Sequence, residues 1–276
     1  MMKSILAVSE GGPDATMSFK LAARVAAGFS GSVDALHQPT GPTGGLIGGL
    51  AMGGEAASMI MDMDEERREA RLRESERAYR DILALVKGAT YTATETPQQN
   101  TMIAMGRCSD LLVLGRPGTD PENVAPATVE AALYECARPV MIAPPIAGSG
   151  VFNNVVVAWN GSFQAARALK YALPFLEKAA KVTLLIAGKK PEEVGAFYLS
   201  RNLSRAGINA VIDAIDPGAV SARARGRALL SYTYDKGGDL LVMGAYGRGQ
   251  VLSFLGLGGA TAKVISSCRV PLLLAH

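Results

Sequence analysis

The sequence repeats itself, and that repeat limits the fold more than any other feature. Ile5–Gly12 (ILAVSEGG) resembles Val155–Ser162 (VVVAWNGS). Asp110–Gly118 (DLLVLGRPG) resembles Asp239–Gly247 (DLLVMGAYG), and Arg138–Pro144 (RPVMIAP) resembles Val270–Ala275 (VPLLLA). The order is the same in both halves, which reads as two copies of one folding unit. Counting Ser9 against Asn160, Asp110 against Asp239 and Pro139 against Pro271, the offsets are 151, 129 and 132 residues. The first copy therefore carries about 22 extra residues between its first two markers. Pro39–Met61 has no counterpart in the second copy, and residues 41–54 hold seven glycines. Glycine at that density disfavours regular structure through backbone entropy, so a mobile loop is expected there.

Each copy alternates short apolar runs with helical patterns. In the second copy, strands are expected at Val155–Ala158, Val182–Ala187, Ala210–Ile215, Leu240–Gly244 and Pro271–Ala275. Helices are expected from the N-cap Ser162 to Lys178, from near Pro191 to the stop at Gly207, over about Ala219–Lys236, and over about Gly259–Ser267. Apolar strands such as LLVM fit a parallel sheet covered on both faces. The first copy reads alike, with one long helix at about Asp62–Val86. Over Asp62–Asp81 that helix interleaves eight acids with six arginines, which reads as a solvated face. It is also a candidate element for pairing two chains into a homodimer. Pro144–Ser149 (PPIAGS) reads as a linker, giving domains of residues 1–147 and 148–276.

The bulk properties narrow the function. Hydrophobic residues make up 49% of the 276 and charged residues 19%, which is a globular composition. A net charge of +3 without a Lys/Arg run argues against nucleic acid as a partner. No apolar run approaches the length of a membrane span, and the N-terminus reads as a buried strand and not a leader. Cys108, Cys136 and Cys268 form no CxxC pair, so reduced thiols in a cytoplasmic protein are expected. Cys136 and Cys268 stand at matching positions, as free thiols of core or turn. Trp159 is expected to pack at a strand end, and His37 to be a partly exposed loop residue. Two histidines and scattered thiols offer no metal cluster, and no Ser/His/Asp set is visible.

In open α/β sheets, ligands bind beyond the C-terminal strand ends where strand order reverses. Two loops of the second copy qualify: Trp159-Asn160-Gly161-Ser162, and the stretch from Gly244 through Gly247, Arg248 and Gly249 to Gly258, Gly259 and Thr261. Glycines let the backbone approach an anion, and the following helix N-terminus adds N–H donors and a positive dipole end. The alternative is a purely structural turn between strand and helix.

GAYG followed by GG and Thr261, with DLLVMG before and VPLLLAH after, resembles the C-terminal motif of the universal stress protein (UspA) family. VVVAWNGS resembles the family's first strand, and the two-copy layout resembles its tandem members. The resemblance spans nearly the whole chain. It implies two doubly wound α/β domains of the adenine nucleotide alpha hydrolase-like kind, each a five-stranded parallel sheet flanked by helices. It also implies their pairing through the last strands as an internal pseudo-dimer.

It further implies a site in the second copy for ATP or a related adenine nucleotide, with Mg²⁺ or Mn²⁺. Its contacts would be Ala158, Trp159 and Asn160 after the first strand and Ala187 after the second. The glycine loop would supply Met243, Gly244, Tyr246, Gly247, Arg248, Gly258, Gly259, Ala260 and Thr261.

The chain departs from the family's Gly-x2-Gly-x9-Gly-Ser/Thr pattern. Ten residues separate Gly247 from Gly258, and Gly259 stands where a hydroxyl is usual. Asn160 replaces the family's adenine-reading Asp, and an amide still donates and accepts. In the first copy Gly115-Arg-Pro-Gly118 survives, but the later glycine is Pro126, which lacks an N–H donor, and Ser9 stands for the acid. The first copy is therefore expected to bind no nucleotide in the family manner.

With no general base evident, at most slow ATP hydrolysis is expected. A second reading is a tandem member that binds no nucleotide and acts as a protein-interaction scaffold in the stress response. A third is an ATP pyrophosphatase, from Ser9–Thr16 (SEGGPDAT), where Glu10 and Ala15 break the expected spacing.

Overall fold

The computed structural model describes residues 2–39, 54–95, 99–118, 123–145, 152–218, 221–246 and 259–276. The glycine-rich residues 41–53 and most of the linker lie outside these.

In the first half the order is β1 (Ser4–Ser9), α1 (Pro13–Phe29), β2 (Ser32–His37), α2 (Gly54–Ile82), β3 (Thr90–Ala93), α3 (Asn100–Cys108), β4 (Leu111–Leu114), α4 (Pro126–Glu135) and β5 (Val140–Ile142). The second half repeats it with β6 (Asn154–Ala158), α5 (Phe163–Leu176), β7 (Lys181–Ala187), α6 (Ala196–Arg205), β8 (Ala210–Ile215), α7 (Ala222–Asp235), β9 (Leu240–Gly244), α8 (Ala260–Ser267) and β10 (Leu272–Ala275). None of the described helices is long and apolar enough to cross a membrane.

All ten strands form one sheet in the order β3-β2-β1-β4-β5-β10-β9-β6-β7-β8. Within each half every pairing is parallel. The halves meet where β5 and β10 pair antiparallel, with Met141 opposite Leu273. This is the internal pseudo-dimer expected from the sequence.

Successive strand residues point to opposite faces, so each apolar strand feeds two cores. Ile5, Ala7, Val155 and Val157 pack with α1, α2, α5 and α6. Leu6, Val8, Val156 and Met243 pack with α3, α4, α7 and α8. Both cores run through the two halves. A second seam joins α1 to α5, where Phe175 meets Phe29 edge-on at 5.3 Å and Phe152 at 5.5 Å.

Two expectations change. The long helix begins at Gly54, not Asp62, so residues 54–61, read as part of a mobile loop, are helical. Helix α6 begins at Ala196, well after Pro191. Gly195, at φ +67, ends the hydrogen-bonded turns of 191–195 before the helix can start.

Leu273 is fully buried at the seam between the halves. Leu273→Ala should cost about 2–5 kcal/mol, read as a lower midpoint in urea unfolding followed by circular dichroism. An unchanged midpoint would contradict its place in the core.

Candidate functional site

A cavity of about 380 Å³ opens at the C-terminal ends of β6, β7 and β9. This is the crevice where strand order reverses in the second half. Of the residues expected there, Ala158, Trp159, Asn160, Ala187, Met243, Gly244, Ala260 and Thr261 line it. Gly259 is the N-cap of α8 beside it. Gly247, Arg248 and Gly258 lie outside the described residues. Tyr246 does not line the cavity: it is buried and turned toward the first half, 6.1 Å from the Tyr134 ring.

Ser162, in the first of the two expected loops, also lines the cavity, and sequence reasoning missed Gln164, Leu185, Lys189, Ala222, Arg225 and Leu229, which line it too. Lys189 follows β7 and Arg225 sits in the first turns of α7. Their signal was two cations at the C-terminal side of a strand and the N-terminal side of a helix, with no local motif to mark them.

The cavity is electropositive. The first turns of α7 and α8 both border it, and helix N-termini carry partial positive charge and free N–H groups. Ser221 caps α7 by accepting from Ala224 N at 3.2 Å. Gly259 caps α8 with no side-chain hydrogen bond, so α8 lacks a capping oxygen of its own. Lys189 and Arg225 add two full charges, and no acidic residue is among the described lining. No group of three or more His, Cys, Asp or Glu that would hold a metal occurs among the described residues.

Several of these residues are held by the chain itself. Trp159 donates from Nε1 to the Val194 carbonyl at 2.8 Å and packs on the core, so it is a packing residue that also presents one face to the cavity. Asn160 Oδ1 accepts from Ser162 N at 3.0 Å, which turns the chain into the cap of α5. Gly244 is explained by packing alone: a Cβ there would lie 2.6 Å from Ala165 N and 2.7 Å from Gln164 C, at the start of α5.

In the first half side chains of the chain itself occupy the matching crevice, and the strand registers show which residues correspond. Ile5 faces Leu111 as Val155 faces Leu240. Gly11 and Gly161 share a left-handed φ of +84 and +76. The counterpart of Asn160 is therefore Glu10, not Ser9, and the counting offset is one residue too long.

Glu10 is 3% exposed. Its Oε2 accepts from Ala125 N at 2.8 Å, and its Oε1 takes a short hydrogen bond from the Thr128 hydroxyl. A carboxylate of the chain itself thus caps the N-terminus of α4, the helix matching α8. Burial pushes the Glu10 carboxyl above its ordinary 4.5, against the pull of Thr128, Ala125 N, Arg71 and Gln38.

Helix α2 closes the rest of that crevice. Ser75 Oγ lies 2.8 Å from Ser9 Oγ and 2.8 Å from His37 Nδ1, and Arg71 Nη1 donates to the Glu10 carbonyl at 3.4 Å. Gln38 Nε2 donates to Thr128 Oγ1 at 3.3 Å. A Cβ on Gly11 would fall 2.3 Å from Arg71 Cβ, so α2 rests on bare backbone.

Two expectations are corrected here. His37 is no exposed loop residue: it ends β2 and is 2% exposed. The charge run of α2 is not wholly solvated, because Asp64 and Arg71 are buried. The segment read against ATP pyrophosphatases is committed to this network. Cys136 and Cys268 are free and buried, and burial pushes each thiol up to about 11, which keeps both protonated.

No family model matches the sequence, and no curated protein does. Solved structures do match. A universal stress protein from Archaeoglobus fulgidus DSM 4304 superposes with a TM-score of 0.65 at 17% identity, over 99% of this chain and 97% of its own. Universal stress protein UspA from Lactobacillus plantarum gives 0.32 at 16% identity, over 45% of this chain and 98% of its own. A universal stress protein in complex with cAMP gives 0.36 at 20% identity, over 46% and 98%. The full-length match shows that this chain has the fold of a universal stress protein.

Two outcomes are expected. Burial, with Arg71 nearby, lowers His37 from 6.5 to about 4. The folded chain therefore holds this histidine neutral, and the stability it contributes is complete above pH 6.5 and is lost as pH falls toward 4. At about 1.4 kcal/mol per unit, that loss is about 3 kcal/mol. Glu10, raised instead, works with the opposite sign and is common to both proteins in a comparison with His37→Gln. That variant should show a flatter acid limb in urea midpoints between pH 7 and 4; equal limbs would contradict the assignment. Gly244→Ala should cost about 1–3 kcal/mol through the clash with α5, measured by thermal unfolding without ligand.

Proposed function

We propose that this chain is a tandem universal stress protein with halves at residues 1–147 and 148–276. Its second half binds ATP or a related adenine nucleotide and serves regulation under stress. One contrast carries the reading: the helix N-terminus that Glu10 fills in the first half stands beside an electropositive cavity in the second. A buried helix end needs an anion or a cap, and here the chain supplies one to α4 and leaves α8 to a ligand.

In this reading the base lies between Asn160 and the end of β7. Asn160 Oδ1 is engaged by Ser162 N, so its amide nitrogen is the group left to read an acceptor on the base. Ala187 offers backbone at the strand end. Thr261 and the N–H groups at the start of α8 hold phosphate, with Gly247, Arg248, Gly258 and Gly259 as further expected contacts. Lys189 and Arg225 neutralise charge at the rim. Mg²⁺ or Mn²⁺ would enter on the nucleotide's phosphates, since the described residues offer no ligand set of their own. Nothing in the cavity's described lining is a carboxylate or histidine able to act as general base, so slow turnover at most is proposed.

The second reading, an interaction scaffold, draws on Met59, Met61 and Met63, which stand 66%, 53% and 60% exposed on α2. Exposed methionines adapt to varied apolar partners.

Isothermal titration with MgATP decides between them. The expected stoichiometry is one per chain, with Lys189→Ala and Arg225→Ala each weakening affinity about tenfold, the scale of a lost charge-assisted contact. Two nucleotides per chain would overturn the closed first half. No binding, and no nucleotide released on denaturing the purified protein, would overturn the nucleotide reading in favour of the scaffold.

A further inference from the structure

Helix α4 belongs to the first half, yet its two ends touch different sites. Its N-terminus holds the Glu10 carboxylate. Its last turn carries Tyr134, whose ring stacks on Tyr246 of the second half with centroids 6.1 Å apart and planes 27° apart. The same ring lies 4.4 Å from the His276 ring, and His276 Nδ1 is 3.1 Å from the Ala245 carbonyl. Arg167 Nη1 donates to the His276 carbonyl at 2.8 Å, closing the group from α5.

Tyr246 stands where the glycine loop leaves β9. Its φ is +46, a left-handed conformation that a non-glycine residue keeps only when its surroundings impose it. In that conformation its N–H points to Thr261 Oγ1 at 3.4 Å, and its carbonyl accepts from Gln164 Nε2 at 3.2 Å. Thr261 and Gln164 both line the cavity. The ring of Tyr246 thus faces the first half while its backbone holds two residues of the second half's site.

The contact is one-sided. By the repeat, Ser266 stands at the place of Tyr134 and Pro117 at the place of Tyr246. No aromatic pair can form across the pseudo-twofold onto the first half's crevice, which is already closed.

We propose that Tyr134 is a positioning residue for the second half's cavity. Stacked on Tyr246, it holds the left-handed turn that fixes the Thr261 hydroxyl and Gln164 where the anion is received. The first half, shut to ligand by Glu10 and α2, then serves the second as a rigid support through α4. The ligand's identity in this proposal rests on the nucleotide reading above; the coupling itself does not.

Hydrogen–deuterium exchange of the ligand-free chain tests the coupling, and titration with MgATP tests its consequence. In Tyr134→Ala, the amides of Tyr246 and Lys263, bonded to Thr261 Oγ1 and the Gly259 carbonyl, should exchange faster, and MgATP affinity should fall about 3–10-fold, the scale of one aromatic pair. Tyr134→Phe keeps the ring and should match the unmutated chain in both. Tyr134→Leu keeps apolar bulk without the ring and replaces the alanine variant should that one not fold. Tyr246→Gly removes both the ring and the left-handed strain, so Tyr134→Ala added to it should bring no further change. Unchanged exchange at Tyr246 and Lys263 in Tyr134→Ala, or additive effects in the double variant, overturns the proposal. Absence of MgATP binding in the unmutated chain overturns the nucleotide reading alone, and the exchange data still decide the coupling.

Discussion

The antiparallel pairing of β5 with β10 is the contact on which the rest of the molecule depends. Each half alone would end in a strand with an unpaired edge, and exposed edges pair with whatever they meet. Joining the two edges makes one sheet of ten strands and two cores that run through both halves. It also brings the end of α4 against the strand ends of the second half, where Tyr134 meets Tyr246 and His276. Without that seam the end of α4 would not stand against Tyr246.

The two halves solve one electrostatic problem in two ways. A helix N-terminus at the switch point presents N–H groups and a partial positive charge. In the first half the residue after β1 is an acid, long enough to reach Ala125 N and Thr128, and α2 covers it. In the second half the same position is Asn160. Its shorter, neutral side chain is spent on Ser162 N, and the start of α8 is left without a carboxylate. Side-chain length and charge at this position, together with the cover that α2 lays over Ser9, Glu10 and Gly11, separate the crevice filled from within from the other.

Most of the fold was legible because parallel strands buried on both faces are continuous apolar runs. Ala210–Ile215 and Leu240–Gly244 fall where the sequence places them, and Ser162 caps α5 as expected. The strand-end positions of the cavity followed from the fold. What could not be read was set by contacts between distant segments. The partner of Asn160 is not among these: ILAVSEGG set residue by residue over VVVAWNGS pairs Glu10 with Asn160, and strand register agrees, because Ile5 faces Leu111 as Val155 faces Leu240. His37 looked like a loop residue because nothing nearby announces that Ser75, thirty-eight positions on, will hold it. Asp64 and Arg71 were lost in a charge run whose average is solvated. Tyr246 carried a place in a ligand motif, yet its ring turns away, since its partner comes from the other half.

Fusion into one chain is what permits this asymmetry. Two identical subunits related by a twofold present the same patch to each other, so any residue placed for one site is placed for both. Here the matching positions hold Tyr134 against Tyr246 on one side and Ser266 against Pro117 on the other. One half was thus free to fill its own crevice with Glu10, His37, Ser75 and Arg71 and to become a scaffold element. The other keeps the cavity, with the left-handed turn at Tyr246 as its point of attachment. Strain of that kind is retained where surrounding packing over-determines it, and the packing around Tyr246 is drawn from α4, α5 and the chain terminus together.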